Sequence, residues 1–171
     1  MDDSVVNRAA AIKLHNELKE LSRTTSSAFS VGLIDEDNLF EWGVTMFGPP
    51  DTAYEGGLFK ARMVFPKNYP FEPPTLTFES DMWHPNVYSD GRVCISILHN
   101  SGEDPHGYEE SCERWNPTQT VETILLSVHA MLGHPNDESP ANVDAAKMFR
   151  ESPTDYRRKV QRCVERSMEN F

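Results

Sequence analysis

Phe29-Ser30-Val31-Gly32-Leu33-Ile34-Asp35-Glu36-Asp37-Asn38-Leu39-Phe40-Glu41-Trp42-Gly43-Val44-Thr45-Met46 is the stretch that decides the architecture. Phe29, Val31 and Leu33 alternate with polar or small residues, and so do Phe40, Trp42, Val44 and Met46. A side-chain period of two is that of a half-buried strand. The cluster Asp35-Glu36-Asp37-Asn38 between the two runs reads as a hairpin turn, because Asp and Asn side chains hydrogen-bond nearby backbone there. Gly48-Pro49-Pro50-Asp51 breaks the second strand. Leu58 to Phe65 is predicted as a third strand and Thr75 to Phe78 as a short fourth. Parallel pairing needs long crossovers, and these connections are short, so a four-stranded antiparallel meander is expected.

Helices flank this sheet in the chain. Val6, Ala10, Leu14, Leu18 and Leu21 recur at helical spacing, and Asp3 or Ser4 can cap the start, so a first helix is predicted over about residues 4 to 22. Lys13, Asn16 and Lys19 lie on its polar face. After the sheet, Val121, Ile124, Leu125, Val128 and Leu132 give one apolar stripe, ended by Gly133 and Pro135. Leu126 falls off that stripe and is a candidate contact residue. Asn142 to Arg150 reads as another helix, and Tyr156, Val160, Cys163 and Val164 as the buried face of a last one. Arg157, Arg158, Lys159, Arg162 and Arg166 then form its outer, solvated side. The proline-rich segment Pro66 to Pro74 excludes regular structure and makes a stiff loop. Phe71 within it is either a plug into the core or an exposed contact. A helix, then consecutive strands, then helices is the α+β class.

At 171 residues, one domain spanning 1–171 is expected. The formal net charge of −11 disfavours nucleic acid, which calls for a basic footprint, and also anionic membrane surfaces. No apolar run is long enough to cross a bilayer, and the acidic start Met1-Asp2-Asp3-Ser4 argues against a signal peptide. Three cysteines, Cys94, Cys112 and Cys163, cannot all pair within the chain and lack zinc spacing, so no metal site is expected. A reducing compartment, cytosol or nucleus, fits them. Without a GxxxxGK[ST] loop the chain is not expected to activate anything with ATP by itself.

Cys94 is the chemical focus. It lies at the end of an apolar, strand-like run, just past the turn His84-Pro85-Asn86-Val87-Tyr88-Ser89-Asp90-Gly91. A turn of this composition faces solvent, so the thiol is a candidate nucleophile. A Cys-His protease needs a base, and the candidate taken as nearest, His84, sits in a turn that reads as structural. Redox exchange wants a resolving thiol, and nothing fixes Cys112 at the required distance. Acyl transfer through a thioester asks for less: an accessible sulfur, an oxyanion partner and surfaces for two macromolecules. The Asn86 amide is either a donor to a developing oxyanion, worth about 3 kcal/mol where such donors have been removed, or a turn stabiliser.

Gly48-Pro49-Pro50-Asp51, Tyr54-Glu55-Gly56-Gly57, Tyr69-Pro70-Phe71, His84-Pro85-Asn86, Cys94, Trp115-Asn116-Pro117, Pro135-Asn136 and Pro140-Ala141-Asn142 together resemble ubiquitin-conjugating enzymes over nearly the whole chain. The resemblance implies that Cys94 takes the C-terminal glycine of ubiquitin as a thioester from the ubiquitin-activating enzyme, and that a lysine of a protein substrate, presented by a RING-type ligase, attacks it. No bound cofactor is implied; ATP is used by the separate activating enzyme. Asn86 matches the residue linked to the oxyanion or to ordering of the active-site loop, and His84 and Pro85 match residues that hold that loop. Lys13, Asn16, Phe71, Pro117 and Thr118 match the surface that meets ligases and the activating enzyme. Leu126 and Ala130 match the central-helix face against which donor ubiquitin folds back.

The departures from the shortest members concern subtype. An acidic insert at about 99–114 carries Glu103, Asp104, Glu109, Glu110 and Glu113. It is similar to the insert of the G-type and R-type (cell-division-cycle 34-like) members. Ile95 to His99, Gly102-Glu103-Asp104, Glu113-Arg114-Trp115 and Ser139 to Lys147 are most similar to the G1 form. This class implies lysine-48-linked chains and proteasomal degradation, in some relatives at the endoplasmic reticulum, which this chain would reach only by recruitment. Many members carry an aspartate where Ser139 stands. A lysine of pKa about 10.4 must shed a proton to attack, so Glu103 and above all Asp104 are expected to position the amine in its place. Ser139 is itself a candidate phosphorylation site. Cys112 is either an oxidisable thiol or an incidental one.

Overall fold

The computed structural model describes residues 2–100 and 114–171. Helix α1 spans Asp3–Arg23, and its N-cap is Asp2, whose carboxylate accepts from the Ser4 amide, rather than Asp3 or Ser4. Such a cap contributes about 1 kcal/mol. Strands β1 (Phe29–Leu33), β2 (Glu41–Phe47), β3 (Leu58–Val64) and β4 (Thr75–Phe78) form one sheet in the order β1-β2-β3-β4, antiparallel throughout. The meander and the α+β class are as expected from the sequence. The Asp35 cluster makes the turn: the Asp35 carbonyl accepts from Asn38 and its carboxylate from Asp37.

The register Val31–Val44, Trp42–Met63 and Met63–Leu76 brings the alternate apolar residues of all four strands toward one face. Trp42, Met46, Phe59 and Met63 are fully buried there. Helix α2 (Val121–Gly133) contributes Val121, Ile124, Leu125, Val128 and Leu132 to the same core. Fully burying an aliphatic side chain stabilises by about 1.5–3 kcal/mol, which is why this stripe holds α2 in place. Helices α3 (Val143–Glu151) and α4 (Pro153–Glu169) close the C-terminal part. Asn142 caps α3, accepting from Ala145. The Ser167 hydroxyl fastens α4 to the start of β3 by accepting from the Leu58 amide at 3.0 Å.

Two polar clasps join the segments that frame the site. The Glu17 carboxylate of α1, nearly buried, accepts from the Tyr69 hydroxyl at 2.6 Å and from the Val121 amide at 3.0 Å, where α2 begins. The Trp115 indole donates to the Pro70 carbonyl at 2.8 Å, across the cis Tyr69–Pro70 bond. The proline-rich loop, α1 and the start of α2 are thereby locked together. The strand-like reading before Cys94 needs correction. Only isolated bridges, Thr77 to Arg92 and Val87 to Val93, precede it, and Ser96–Leu98 is a single 3-10 turn. Gly91 is the reason the chain can turn here. Its φ is +95°, and a Cβ on it would stand 2.1 Å from the Phe78 carbonyl oxygen.

Candidate active site

Cys94 stands on a frame built from backbone. Its amide donates to the Asn86 carbonyl at 2.9 Å, and the Val93 amide donates to Leu76 of β4 at 3.0 Å. The residue is partly exposed.

Behind it, His84 and Asn86 are buried polar residues with their hydrogen bonds satisfied. His84 is fully buried; its Nδ1 accepts from the Asn86 amide at 2.9 Å and its Nε2 donates to the Met131 carbonyl of α2 at 2.8 Å. The two partners fix the neutral tautomer. Burial pushes its pKa down to about 4 against the weaker lift from the Met131 carbonyl. With both nitrogens engaged, this imidazole has no site left for a proton from the thiol. The Asn86 side chain donates to the Asn136 carbonyl at 2.6 Å and accepts from the Asn136 amide at 2.8 Å. Its carboxamide is thus a two-point clamp on the segment after α2. The Pro85 carbonyl accepts from both Ala141 and Asn142, which anchors the chain just beyond Ser139 to the same turn. Ser139 itself is exposed.

Two side chains that sequence reasoning did not single out lie against the sulfur. The His99 Nε2 is 3.7 Å from Cys94 Sγ. The Tyr88 hydroxyl hydrogen-bonds Cys94, and charge on that sulfur is the main cause holding the phenol above its ordinary pKa. The signal was local: Tyr88 follows Asn86 by two residues in the same turn, and His99 closes the turn after the 3-10 segment.

The remaining candidates fall on two exposed surfaces. Phe71 is 69% exposed, so it is a surface contact and not a core plug. Pro117 and Thr118 are exposed on the loop of Trp115, whose bond to Pro70 draws it to the Phe71 loop. Asn16 is exposed on α1, while Lys13 is half-buried beside Glu17 at 3.8 Å. On α2, Leu126 is 45% exposed and Ala130 is exposed one turn later, so they share the face turned away from the core. Glu103, Asp104 and Cys112 lie outside the described residues. Among the described residues no three His, Cys, Asp or Glu side chains converge as metal ligands, and no helix is long and apolar enough to cross a membrane.

The arrangement is a partly exposed cysteine on a rigid turn, with the His99 imidazole and the Tyr88 hydroxyl beside its sulfur and the fully engaged His84 behind it. A family model described as "Ubiquitin-conjugating enzyme" matches residues 13–164. The chain belongs to the ubiquitin-conjugating enzyme family. It is 59% identical to ubiquitin-conjugating enzyme E2 14 of Arabidopsis thaliana over 165 residues, covering 96% of this chain and 99% of that one. It is 53% identical to ubiquitin-conjugating enzyme E2 15 of Schizosaccharomyces pombe over 91% of this chain and 93% of the relative. Ubiquitin-conjugating enzyme E2 G2 of Bos taurus is 49% identical over 91% of this chain and 94% of its own length. Ubiquitin-conjugating enzymes form a cysteine thioester with ubiquitin, and work between an activating enzyme and ligases. The described residues of this enzyme have four helices and a four-stranded antiparallel sheet, the fold of that family.

Proposed function

We propose that Cys94 is the acyl carrier of this ubiquitin-conjugating enzyme. Its thiolate attacks the thioester joining ubiquitin's C-terminal glycine to the activating enzyme, expels that enzyme's thiolate and takes over the acyl group. ATP has already been spent by the activating enzyme. The amine of a substrate or ubiquitin lysine then attacks the new thioester and gives up a proton to solvent, an amide forms, and Cys94 leaves as thiolate. The observation that carries this reading is the placement of a partly exposed cysteine on the buried, fully hydrogen-bonded His84–Asn86 turn. A fixed sulfur needs little reorganisation between acceptance and release.

In this reading Asn86 keeps the turn and the Asn136 segment in register. Phe71, Pro117, Thr118, Lys13 and Asn16 receive a RING-type ligase and the activating enzyme. Leu126 and Ala130 hold donor ubiquitin against α2. Glu103 and Asp104 orient the acceptor amine near Ser139. The product is a lysine-48-linked chain that marks substrates for the proteasome, in the cytoplasm or nucleus or at the endoplasmic reticulum surface after recruitment.

Thioester loading tests the core of this. The protein is incubated with activating enzyme, ATP and ubiquitin, and run on gels with and without thiol. A thiol-sensitive adduct is expected from the native protein and none from Cys94→Ala. In longer reactions, chains are expected with ubiquitin and not with its lysine-48-to-arginine form. An adduct formed only with a ubiquitin-like modifier would move the enzyme to that modifier's pathway.

A further inference from the structure

A groove of about 330 Å³ lies between the segment following β4 and the outer face of α4. Tyr88, whose hydroxyl meets the Cys94 sulfur, is one of its lining residues, so the groove adjoins the transfer site. From α4 it receives Lys159, Arg162 and Arg166, which share one helix face. Three carboxylates also line it, and each already has an arginine: Glu79 with Arg62 at 3.1 Å, Asp81 with Arg166 at 2.7 Å, and Asp90 with Arg92 at 2.8 Å. Lys159 and Arg162 are left with no carboxylate partner among the described residues.

Trp83 adds a second, independent feature. Its indole nitrogen is buried and has no hydrogen-bond acceptor among the described residues. The Lys159 ammonium rests over the same ring, 3.5 Å from its centroid. The ring thus holds the Lys159 ammonium at the groove, where a carboxylate would offset it together with Arg162. In a chain of net charge −11, Lys159 and Arg162 are two cations at this groove without a carboxylate ion-pair partner among the described residues.

We infer that this groove is an acceptor subsite that binds carboxylate side chains of the polypeptide being modified, while that polypeptide's lysine reaches Cys94 past Tyr88. The inference rests on Cys94 being the transfer site. The subsite selects among acceptors: lysines flanked by Asp or Glu dwell longer at the sulfur than lysines in neutral surroundings. The steering is electrostatic and close to solvent, so it weakens with salt.

Single-turnover discharge tests it. Ubiquitin-loaded full-length enzyme is mixed with a peptide carrying one lysine flanked on both sides by aspartates, with the same peptide carrying asparagines, or with free lysine. Discharge to the aspartate peptide is expected to be about 3-fold faster than to the asparagine peptide at low salt, with the advantage shrinking at high salt. In Lys159→Ala/Arg162→Ala the advantage disappears while discharge to free lysine is unchanged. In Lys159→Glu/Arg162→Glu the preference turns toward an arginine-flanked peptide, a gain that misfolding cannot mimic. Equal rates on both peptides with the native enzyme would overturn the subsite. So would an aspartate advantage that survives both double substitutions. A preference for phosphoserine-flanked lysine with none for aspartate would overturn the assignment to carboxylates. A Cys94→Ala protein that still loads ubiquitin would remove the transfer site on which the subsite depends, and that is seen before any peptide is added.

Discussion

The turn behind Cys94 and the surfaces beside it invert the usual distribution of residues. In the turn, polar His84 and Asn86 are buried; on the surfaces, apolar Phe71 and Leu126 are exposed. Buried polar groups persist only when paired, and every polar atom of the His84 ring and the Asn86 amide has a partner. Exposed apolar groups need no partner within the chain and become useful when another protein covers them. The difference teaches how this enzyme divides its work. Polar groups are paired inward, where they hold the turn, and Phe71 and Leu126 are left outward, where the proposed function uses them for association.

The contrast can be broken at several points. Cys94→Ala should abolish the thiol-sensitive adduct and leave thermal unfolding near that of the native enzyme, since the side chain is not in the buried core. The His84 ring provides the next largest effect. Its pKa is about 4 in the folded protein and near 6.5 in the unfolded chain. Between those values the unfolded state binds the extra proton, so stability rises with pH across the window. The contribution is fully present above about pH 6.5 and is lost as pH falls through about 4, amounting to about 3 kcal/mol. Urea titrations at a series of pH values should show this slope, and His84→Gln should flatten it.

Asn86→Ala sharpens the comparison further. Losing both bonds to Asn136 should cost about 1–2 kcal/mol of stability, measured by denaturant unfolding. If stability holds while discharge to lysine collapses, the amide acts on the oxyanion instead, and the inward assignment fails. Phe71→Ala should do the reverse. Stability should change by no more than about 0.5 kcal/mol, while ligase-stimulated discharge falls about tenfold, as for an aromatic anchor. Leu126→Ala is the mildest change. It should slow ligase-stimulated discharge about 3-fold without changing loading by the activating enzyme, measured in single-turnover assays.

The architecture was legible where periodicity was strong. The four strands and the stripe of α2 follow directly from alternation and helical spacing. Less legible was the segment around Cys94, where Val93, Ile95 and Ile97 alternate like a strand but make only a bridge and a 3-10 turn. Long-range hydrogen bonds to Asn86 and Leu76 override the local pattern there. Phe71 could not be placed from sequence, because a proline-rich loop has no periodicity to tell inside from outside. Tyr88 and His99 were missed because their closeness to the sulfur depends on how the turn is folded, not on their type.

Alone, the sequence determined the fold class, the family resemblance and the choice of Cys94. Hydrophobic period, turn chemistry and motif spacing are local properties that the chain carries in linear order. Only the tertiary structure decided what the polar residues do. It turned Asn86 toward Asn136, closed both nitrogens of His84, exposed Phe71, and left Lys159 and Arg162 facing a groove whose carboxylates are already paired. Hydrogen-bond partners and charge balance depend on atoms brought together across 50 or more positions, as with Asn86 and Asn136.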